Sequence, residues 1–331
     1  MLRILHDTKY DFIKYWRHAA ITTILFIVVG LTFLGIRGLR LSIEFTGGTS
    51  MQVHFASPPG ADVVRSTVDA AGFPGSEIQE FGNPNTYSIK AQGQTGDTTA
   101  AGSDVTAGQI ERALHAKFGD TTAVRVLSAE FIGARVGGEL KRNAIIAILI
   151  SFLVTLIYLA VRFEWRFGVA AVVATAHDIL TTLAFLAMMR LEFSLTVVAA
   201  LLTVIGYSLN DTIIIFDRVR ENLKKQRKES LREVLNRSIN ETLPRSVLTH
   251  ATAFAATLAL LIFAGEVIRP FSWIMAFGIF TGTFSSIYVA GALLLWIEAK
   301  WPRAVEGKGG AAAASMTAAA VAAHRREMSK R

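Results

Sequence analysis

The chain has no cysteine among its 331 residues. It can therefore form no disulfide framework, no thiolate nucleophile and no cysteine-based metal site. Its seven histidines lack metal-ligand spacing such as His-x-x-x-His, and neither a glycine-rich phosphate loop nor a nucleophile elbow occurs. The sequence predicts a protein that is not an enzyme and that carries no metal or cofactor.

Charged residues are missing from long apolar stretches. Four stretches have none, at 19–36, 143–161, 246–265 and 270–297, and two have a single aspartate, at 167–189 and 193–216. A helix needs about 20 such residues to cross a bilayer. Six transmembrane helices are predicted, at 19–37, 143–162, 167–189, 193–217, 246–266 and 270–297. The first is expected to remain as an anchor, because no small-x-small cleavage site follows it.

Lysine and arginine are concentrated in alternate connections. Segment 1–18 and the links 162–166 and 217–245 are basic, whereas the turns at 190–192 and 266–269 carry one basic residue each. Since basic loops stay in the cytoplasm, both termini are predicted there, and the long connection is predicted to lie outside. The net charge of +8 is explained by this asymmetry together with Lys300, Arg303 and the basic end of the tail. The expected partners are therefore membrane lipids and not nucleic acid.

The long connection, 38–142, has the patterns of a separate α+β domain. Strand-like alternation occurs at 50–55, 77–81, 87–91 and 122–131, and helical periodicity at 62–71 and 107–118. The order βαββαβ predicts a ferredoxin-like domain. This domain is inserted after the first helix of an all-α membrane bundle, and the other five helices of the bundle lie in 143–300. Residues 92–108 are expected to be a flexible loop, and the alanine-rich tail, 301–331, to be disordered in the cytoplasm.

Two carboxylates interrupt the apolar spans, Asp178 in the third and Asp211 in the fourth. An ionised side chain in hydrocarbon costs several kcal/mol, so such a residue usually faces the interior of a bundle and has a function. Asp211 precedes Asp217 by about 9 Å along a helix, too deep to reach cytoplasmic water easily, and it needs an internal partner. These positions indicate an ion-coupled membrane protein.

Several motifs resemble those of the SecF family of protein-export membrane proteins, in the same order and topology over residues 10–301. They are EFTGGT at 44–49, FIGARVGGEL at 131–140, RFEWR at 162–166, AHD at 176–178, GYSLND at 206–211 and FDRVREN at 216–222. Two residues depart from the family pattern: Ala134 stands where proline is usual, and Glu44 where aspartate is commoner.

The resemblance implies half of a resistance-nodulation-division transporter fold, with six membrane helices and a large external domain. It implies an accessory subunit that pairs with SecD, acts with the SecYEG channel and SecA, and has YajC as a further candidate partner. Such a subunit uses the proton-motive force to promote late translocation of unfolded secreted proteins, so H⁺ is the expected coupling ion. The family's ion pathway falls here on Asp211, Arg245 and Thr249.

The residues themselves allow a matching mechanism. Arg245 opens the fifth span on the side where the fourth ends, so its side chain is expected to reach Asp211, with the Thr249 hydroxyl one turn further on. Burial disfavours the ionised carboxylate and a guanidinium favours it, so Asp211 can exchange a proton as the bundle moves. The alternative is a static packing ion pair between Asp211 and Arg245.

Neighbouring polar residues each have two interpretations. Asp178, beside His177, is either a second relay carboxylate or a buried acid bonded to hydroxyls or backbone. His250 is either a proton carrier or an interhelical donor, and Asn210 either supports the site or bridges two helices.

Two further groups are candidates for movement and docking. Five glycines on the connections of the external domain are predicted hinges, namely Gly47, Gly48, Gly133, Gly137 and Gly138. A charged group on the cytoplasmic side is either a coupling and docking helix or an interfacial helix that follows the positive-inside rule. Its members are Asp217, Arg218, Arg220 and Glu221.

Three functions remain open at this point. The first is a proton-driven accessory subunit of protein export. The second is half of a small-molecule or lipid exporter, since the same architecture serves efflux. The third is a scaffold that stabilises a translocon without transporting ions.

Overall fold

The computed structural model describes residues 8–91, 100–120, 122–225, 229–265 and 268–302. Within these ranges, six helical segments are long and apolar enough to cross a membrane. A 3-10 turn (Phe12–Tyr15) leads into the first of them, α1 (Trp16–Arg37). The prediction of six membrane helices is confirmed.

A small sheet domain, residues 43–132, follows α1. Its elements are α2 (Ile43–Thr46), β1 (Gly48–Phe55), α3 (Ala61–Ala70), β2 (Glu77–Phe81), β3 (Asn83–Ala91), α4 (Ala100–Phe118) and β4 (Val124–Ile132). The strands form an antiparallel sheet in the order β2-β3-β1-β4. This is the order of a ferredoxin-like βαββαβ fold, so that prediction is also confirmed.

The core of the sheet domain follows from alternation along β1. Met51, Val53 and Phe55 are buried, while the residues between them are half-exposed on the other face. This period of two is what a strand with one covered face requires. The buried side chains that cover β1 from α3 and α4 are Val64, Val68, Ile110 and Leu114.

Two local predictions in this domain need correction. Residues 100–108 were expected in a loop, but α4 begins at Ala100. Alanine has the highest helix propensity, and it outweighs the scattered glycines that suggested a loop. The short helix α2, directly before the paired glycines, was not predicted at all. Residues 92–99 and the tail beyond residue 302 lie outside the described residues, so their predictions stay untested.

The remaining membrane helices follow the sheet domain without a long break. They are α5 (Ala134–Arg162), α6 (Trp165–Met188), α7 (Leu195–Lys225), α8 (Leu231–Phe263) and a rod composed of α9 (Arg269–Phe284), a π-helical turn (Ser285–Ala290) and α10 (Gly291–Lys300). Both α7 and α8 run beyond the predicted spans, because charged residues do not end a helix where it leaves the apolar region. A capping box at Ser230 and Glu233 starts α8.

The membrane helices divide into an inner and an outer set. About half of the most apolar stretch is buried in α6 (50%), α7 (56%) and the α9–α10 rod (56%). The corresponding fractions for α1, α5 and α8 are 11%, 17% and 17%. Three helices therefore form the core of the bundle, and α8 packs against it with one face only.

The close approach of α7 and α9 sets the geometry of the bundle interior. Gly278 faces the side chain of Val204, and Gly282 faces Ser208, where an added Cβ would lie 3.0 Å from the serine Cβ. Small residues at such positions let membrane helices approach closely. This packing brings the polar side chains of α7 next to those of the π-helical turn.

Candidate functional site

Asp211 lies on the inner face of α7 and is 3% exposed. One of its carboxylate oxygens accepts a hydrogen bond of 2.5 Å from the Ser246 hydroxyl on α8. The other oxygen has no hydrogen-bond partner among the described residues. The imidazole of His250, also on α8, is near enough to act electrostatically on the carboxylate. Asp211 is thus a buried acid with one oxygen still able to take a proton.

The spacing of polar residues on the two helices creates this site. Ser246 and His250 are one turn apart on α8 and point the same way. Tyr207 lies one turn before Asp211 on α7, and its ring meets the His250 ring edge-on at a centroid distance of 5.3 Å. Within the described part of the chain, Nδ1 of His250 has no hydrogen-bond partner. Two polar side chains from each helix therefore meet at one level of the bundle.

Arg245 and Thr249 do not point into the bundle, and the predicted contact between Arg245 and Asp211 is wrong for this structure. Both residues are exposed on the outer face of α8. The Thr249 hydroxyl donates to the Arg245 backbone carbonyl at 2.9 Å rather than to a side chain. The physical reason is helical rotation of about 100° per residue. Once Ser246 faces Asp211, its neighbour Arg245 must turn outwards.

Asp178 on α6 is completely buried, with an exposure of 0%. One carboxylate oxygen accepts hydrogen bonds from the hydroxyls of Ser208, on α7, and Ser285, the latter at 2.7 Å. The other oxygen contacts Nδ1 of His177 at 3.0 Å. Nε2 of this histidine is buried and has no hydrogen-bond partner within the ranges given above. The hydroxyl-bonded interpretation of Asp178 therefore describes its surroundings, and a relay role remains a prediction.

Buried hydroxyls connect the surroundings of the two acids. Next to Ser285 in the π-helical turn, Ser286 shares a hydrogen bond of 2.7 Å with Thr212, the residue after Asp211. Ser285 and Ser286 are each 0% exposed, and Thr212 is 2% exposed. Single π-helical turns occur frequently at functional sites in helices. The interior of the bundle thus contains a row of polar groups between Asp178 and Asp211.

The sequence identified the acids of this site but not their hydrogen-bond donors. Ser208 and Ser285 are not predictable as donors, because an isolated serine in an apolar span is common and carries no spacing signal. Ser246 and His250 were recognisable as a polar pair one turn apart. Asn210, which was expected to support the site or bridge helices, is exposed on α7.

The predicted hinge glycines fall into three structural situations. Gly47 and Gly48 have positive φ values of 76° and 140°, so they form a turn that other residues adopt poorly. Gly133 precedes α5 with an ordinary φ of −62°. Gly137 and Gly138 lie inside α5, so a loop hinge at these two positions is wrong. A hinge role for Gly47 and Gly48 stays a prediction.

The charged group near the C-terminal end of α7 forms ion pairs that join α5, α7 and α8. Asp217 pairs with Arg162 at 2.5 Å and with Arg220 at 3.6 Å. Arg218 pairs with Glu221 at 2.6 Å and with Glu241 on α8 at 2.5 Å. These contacts fit a packed helical hairpin, and they leave the docking role of the group untested.

Comparison with known proteins identifies the family. Residues 112–300 match the family model of the protein export membrane protein SecD/SecF, C-terminal, and residues 32–59 match the SecD/SecF GG motif. A protein translocase subunit SecF of Gemmatimonas aurantiaca is 58% identical over 306 residues, which cover 92% of this chain and 91% of that protein. The chain belongs to the SecF family.

A second relative agrees with this result. The SecF subunit of Escherichia coli O157:H7 is 36% identical over 89% of this chain and 90% of its own length. As a member of the SecF family, the chain is an accessory subunit of Sec protein export and a multi-pass membrane protein.

The fold also matches solved structures. The crystal structure of SecDF from Thermus thermophilus, a translocon-associated membrane protein, superimposes with a TM-score of 0.79 and 34% identity over 90% of this chain. A SecDF structure in a super-membrane-facing form gives a TM-score of 0.66 and 36% identity. The chain spans 40% of the length of each SecDF chain.

Proposed function

We propose that this SecF-type subunit couples inward movement of protons to late steps of protein export, with Asp211 as the group that takes and releases the proton. In this proposal the subunit lies in the bacterial cytoplasmic membrane with both termini in the cytoplasm and the sheet domain in the periplasm. It pairs there with SecD beside the SecYEG channel and SecA, with YajC as a further candidate, and its substrates are unfolded secreted proteins.

The observation that carries the proposal is the surroundings of Asp211. A carboxylate that is 3% exposed in a membrane bundle is costly when ionised, and one hydroxyl donor offsets only part of that cost. Protonation removes the charge, and a proton on the unpartnered oxygen makes that oxygen a hydrogen-bond donor. His250, close by, offers an acceptor nitrogen when it is neutral. The two protonation states therefore favour different local hydrogen bonding, and this is what an ion-driven conformational change requires.

The exposed face of α8 supports a membrane partner. Arg245 and Thr249 lie on this face, at the level of Asp211, because Ser246 beside Arg245 bonds to Asp211. By contrast, the exposed residues along the apolar part of α5 are hydrophobic. A guanidinium at this depth needs a protein partner or a path to water. We assign this face to SecD. In the assembled pair Arg245 would lie at the interface with SecD and would act on the proton site from there.

Two alternatives make different predictions. Half of a small-molecule exporter would associate with a periplasmic adaptor or an outer-membrane channel. A scaffold would have no use for a buried titratable acid. Extraction of the membrane in mild detergent, followed by identification of the proteins bound to a tagged chain, separates export from efflux. SecD and the translocon channel are the expected partners.

The ion is tested in inverted membrane vesicles that contain this subunit, SecD and the translocon. A secretory protein is arrested late in translocation, and its completion is followed while the proton gradient or the sodium gradient is collapsed separately. Completion should slow when the proton gradient is lost and should not respond to loss of the sodium gradient. The reverse result would assign sodium as the coupling ion. No response to either gradient would favour a scaffold that transports no ion.

A further inference from the structure

We infer that Glu44 is a positioning residue that connects the helix of the proton site to the base of the sheet domain. The inference rests on the proposed function, because it concerns how a change at Asp211 reaches the periplasmic side. In the sequence, Glu44 belongs to the segment before the paired glycines and stands where aspartate is commoner in the family, and neither feature predicts this role.

The central contact is a hydrogen bond between distant parts of the chain. One carboxylate oxygen of Glu44 accepts from the backbone N–H of Leu195, the first residue of α7, at 2.5 Å. The same oxygen accepts from the Ser42 hydroxyl at 3.2 Å. The first N–H groups of a helix have no partner within the helix, and a negative charge there is favoured by the helix dipole. Glu44 therefore caps the N-terminal end of α7 from a separate segment of the chain.

Helix α7 connects this contact directly to the proton site. Leu195 and Asp211 lie on the same uninterrupted helix, about 24 Å apart along its axis. A helix of this length transmits an axial shift or a rotation as one body. A movement of α7 at Asp211 therefore displaces the group that Glu44 holds.

Backbone hydrogen bonds strengthen the same junction. The N–H of Ser42 donates to the Phe193 carbonyl at 3.0 Å, and the N–H of Phe193 donates to the Arg40 carbonyl at 2.7 Å. Phe45 is 4% exposed and packs on Phe193, with the ring centroids 5.6 Å apart. Residues 40–45, where the chain enters the sheet domain, are thus bound to the turn between α6 and α7 by backbone, side-chain and apolar contacts.

The two chain connections of the sheet domain meet at this junction. Gly47, which follows α2, lies against the start of α5, where an added Cβ would come within 2.8 Å of the Ala134 Cα. Gly137 lies about one turn further along α5, and a Cβ there would lie 3.0 Å from the Gly47 backbone nitrogen. A shift of α7 therefore acts at the place where the chain passes from the membrane region into the sheet domain and back.

Two ion pairs hold the sheet domain in its present pose. Lys90, at the end of β3, pairs with Glu192 in the turn before α7, and Arg40 pairs with Glu77 at the start of β2. Both pairs are partly buried, and both must separate if the domain swings away about Gly47 and Gly48. Glu44 differs from these pairs, because its partner is the helix end itself and it can stay bound during such a swing.

The test measures domain movement in the complex with SecD. Because the chain has no cysteine, fluorophores can be attached at two introduced cysteines, Ala116→Cys on α4 and Phe263→Cys at the end of α8, with a cysteine-free SecD. Single-molecule energy transfer is recorded in proteoliposomes with and without an imposed proton gradient. The native complex should show a shift of the distance distribution when the gradient is applied.

Four variants then separate linkage from simple helix capping. Glu44→Ala should lose the gradient-dependent shift, and Glu44→Gln, whose amide oxygen still accepts from Leu195, should keep most of it. Ser194→Ala is the matched control, because it removes the helix's own cap on Val197, a contact of 3.3 Å, and leaves the Glu44 contact intact. This control should keep the full shift although it weakens the same helix end. Lys90→Gln should change the resting distribution without removing the shift.

The outcomes distinguish the two levels of the proposal. A native complex without any gradient-dependent shift would overturn the proton coupling, and the role of Glu44 with it. A native shift that disappears in Asp211→Asn but persists in Glu44→Ala would overturn the role of Glu44 alone. Equal losses in Glu44→Ala and Ser194→Ala would reduce Glu44 to a helix cap and would also overturn the inference.

Discussion

Ser246 and Asp211 are joined by a hydrogen bond of 2.5 Å between the α8 hydroxyl and one carboxylate oxygen on α7. With Ser246 facing the acid, the neighbouring Arg245 lies on the outer face of the helix. The charged residue that the resemblance assigns to the ion pathway is therefore available to a neighbouring subunit, while a neutral hydroxyl and an imidazole face the acid inside the chain.

Replacement of Arg245 tests this arrangement. Because the side chain is exposed in the single chain, Arg245→Met should change the free energy of unfolding of the isolated protein in detergent by less than about 0.5 kcal/mol. The same variant should lose SecD in co-purification from membranes. Ser246→Ala should behave in the opposite way, losing about 1 kcal/mol of stability and retaining SecD.

Arg142→Met provides the control for Arg245→Met. Arg142 is an exposed arginine near the start of the apolar part of α5, and its replacement should affect neither measurement. If Arg245→Met destabilised the isolated chain as strongly as Ser246→Ala, or if SecD remained bound, the outward orientation of Arg245 would be contradicted.

The glycines of the domain junction should respond to alanine with opposite signs. Gly47→Ala places a Cβ 2.8 Å from a backbone atom at a φ of +76°, so unfolding free energy should fall by more than about 1 kcal/mol. Gly138 lies inside α5, and outside its own helix no atom of the described residues lies within 4 Å of an added Cβ, so Gly138→Ala should raise the unfolding free energy by up to about 1 kcal/mol. Thermal unfolding in detergent measures both. Equal effects would show that neither the close approach nor the helical position matters.

Topology is tested by labelling introduced cysteines in spheroplasts with a membrane-impermeant thiol reagent. Gln79 on β2 and Lys224 near the end of α7 are both exposed and lie on opposite sides of the proposed membrane. The cysteine at 79 should react in intact spheroplasts, and the one at 224 only after permeabilisation. The inverse pattern would contradict the orientation argued from the basic loops.

Much of the fold was predictable because it depends on simple periodicities. Uncharged runs of membrane length predicted the helices, and alternation along residues such as Met51, Val53 and Phe55 predicted the strands. Helix ends were less predictable, since α8 begins at Leu231, well before its apolar part. Only a cap such as Ser230 with Glu233 marks that start, and charged residues after it suggested a loop.

The candidate site was predictable in its acids and not in its pairings. Asp178 and Asp211 stand out because hydrocarbon penalises charge, whatever surrounds them. Which residue faces Asp211 depends on the rotation of α8 about its axis. That rotation is set by packing across the whole helix, and a shift of one residue exchanges Ser246 for Arg245. The contact between Glu44 and Leu195 joins residues 151 positions apart, and a sequence without its fold contains no signal for it.

The most direct test of the account is gradient-driven completion of late translocation by Asp211→Asn. This variant keeps the volume and hydrogen bonding of the side chain but cannot titrate. It is compared with Asp178→Asn and with Asp62→Asn, in which the replaced side chain is 96% exposed on α3. Asp211→Asn should insert and bind SecD yet lose the stimulation by a proton gradient, while Asp62→Asn retains it. Full stimulation in Asp211→Asn would contradict the account, and its loss in Asp178→Asn alone would move the proton site to that residue.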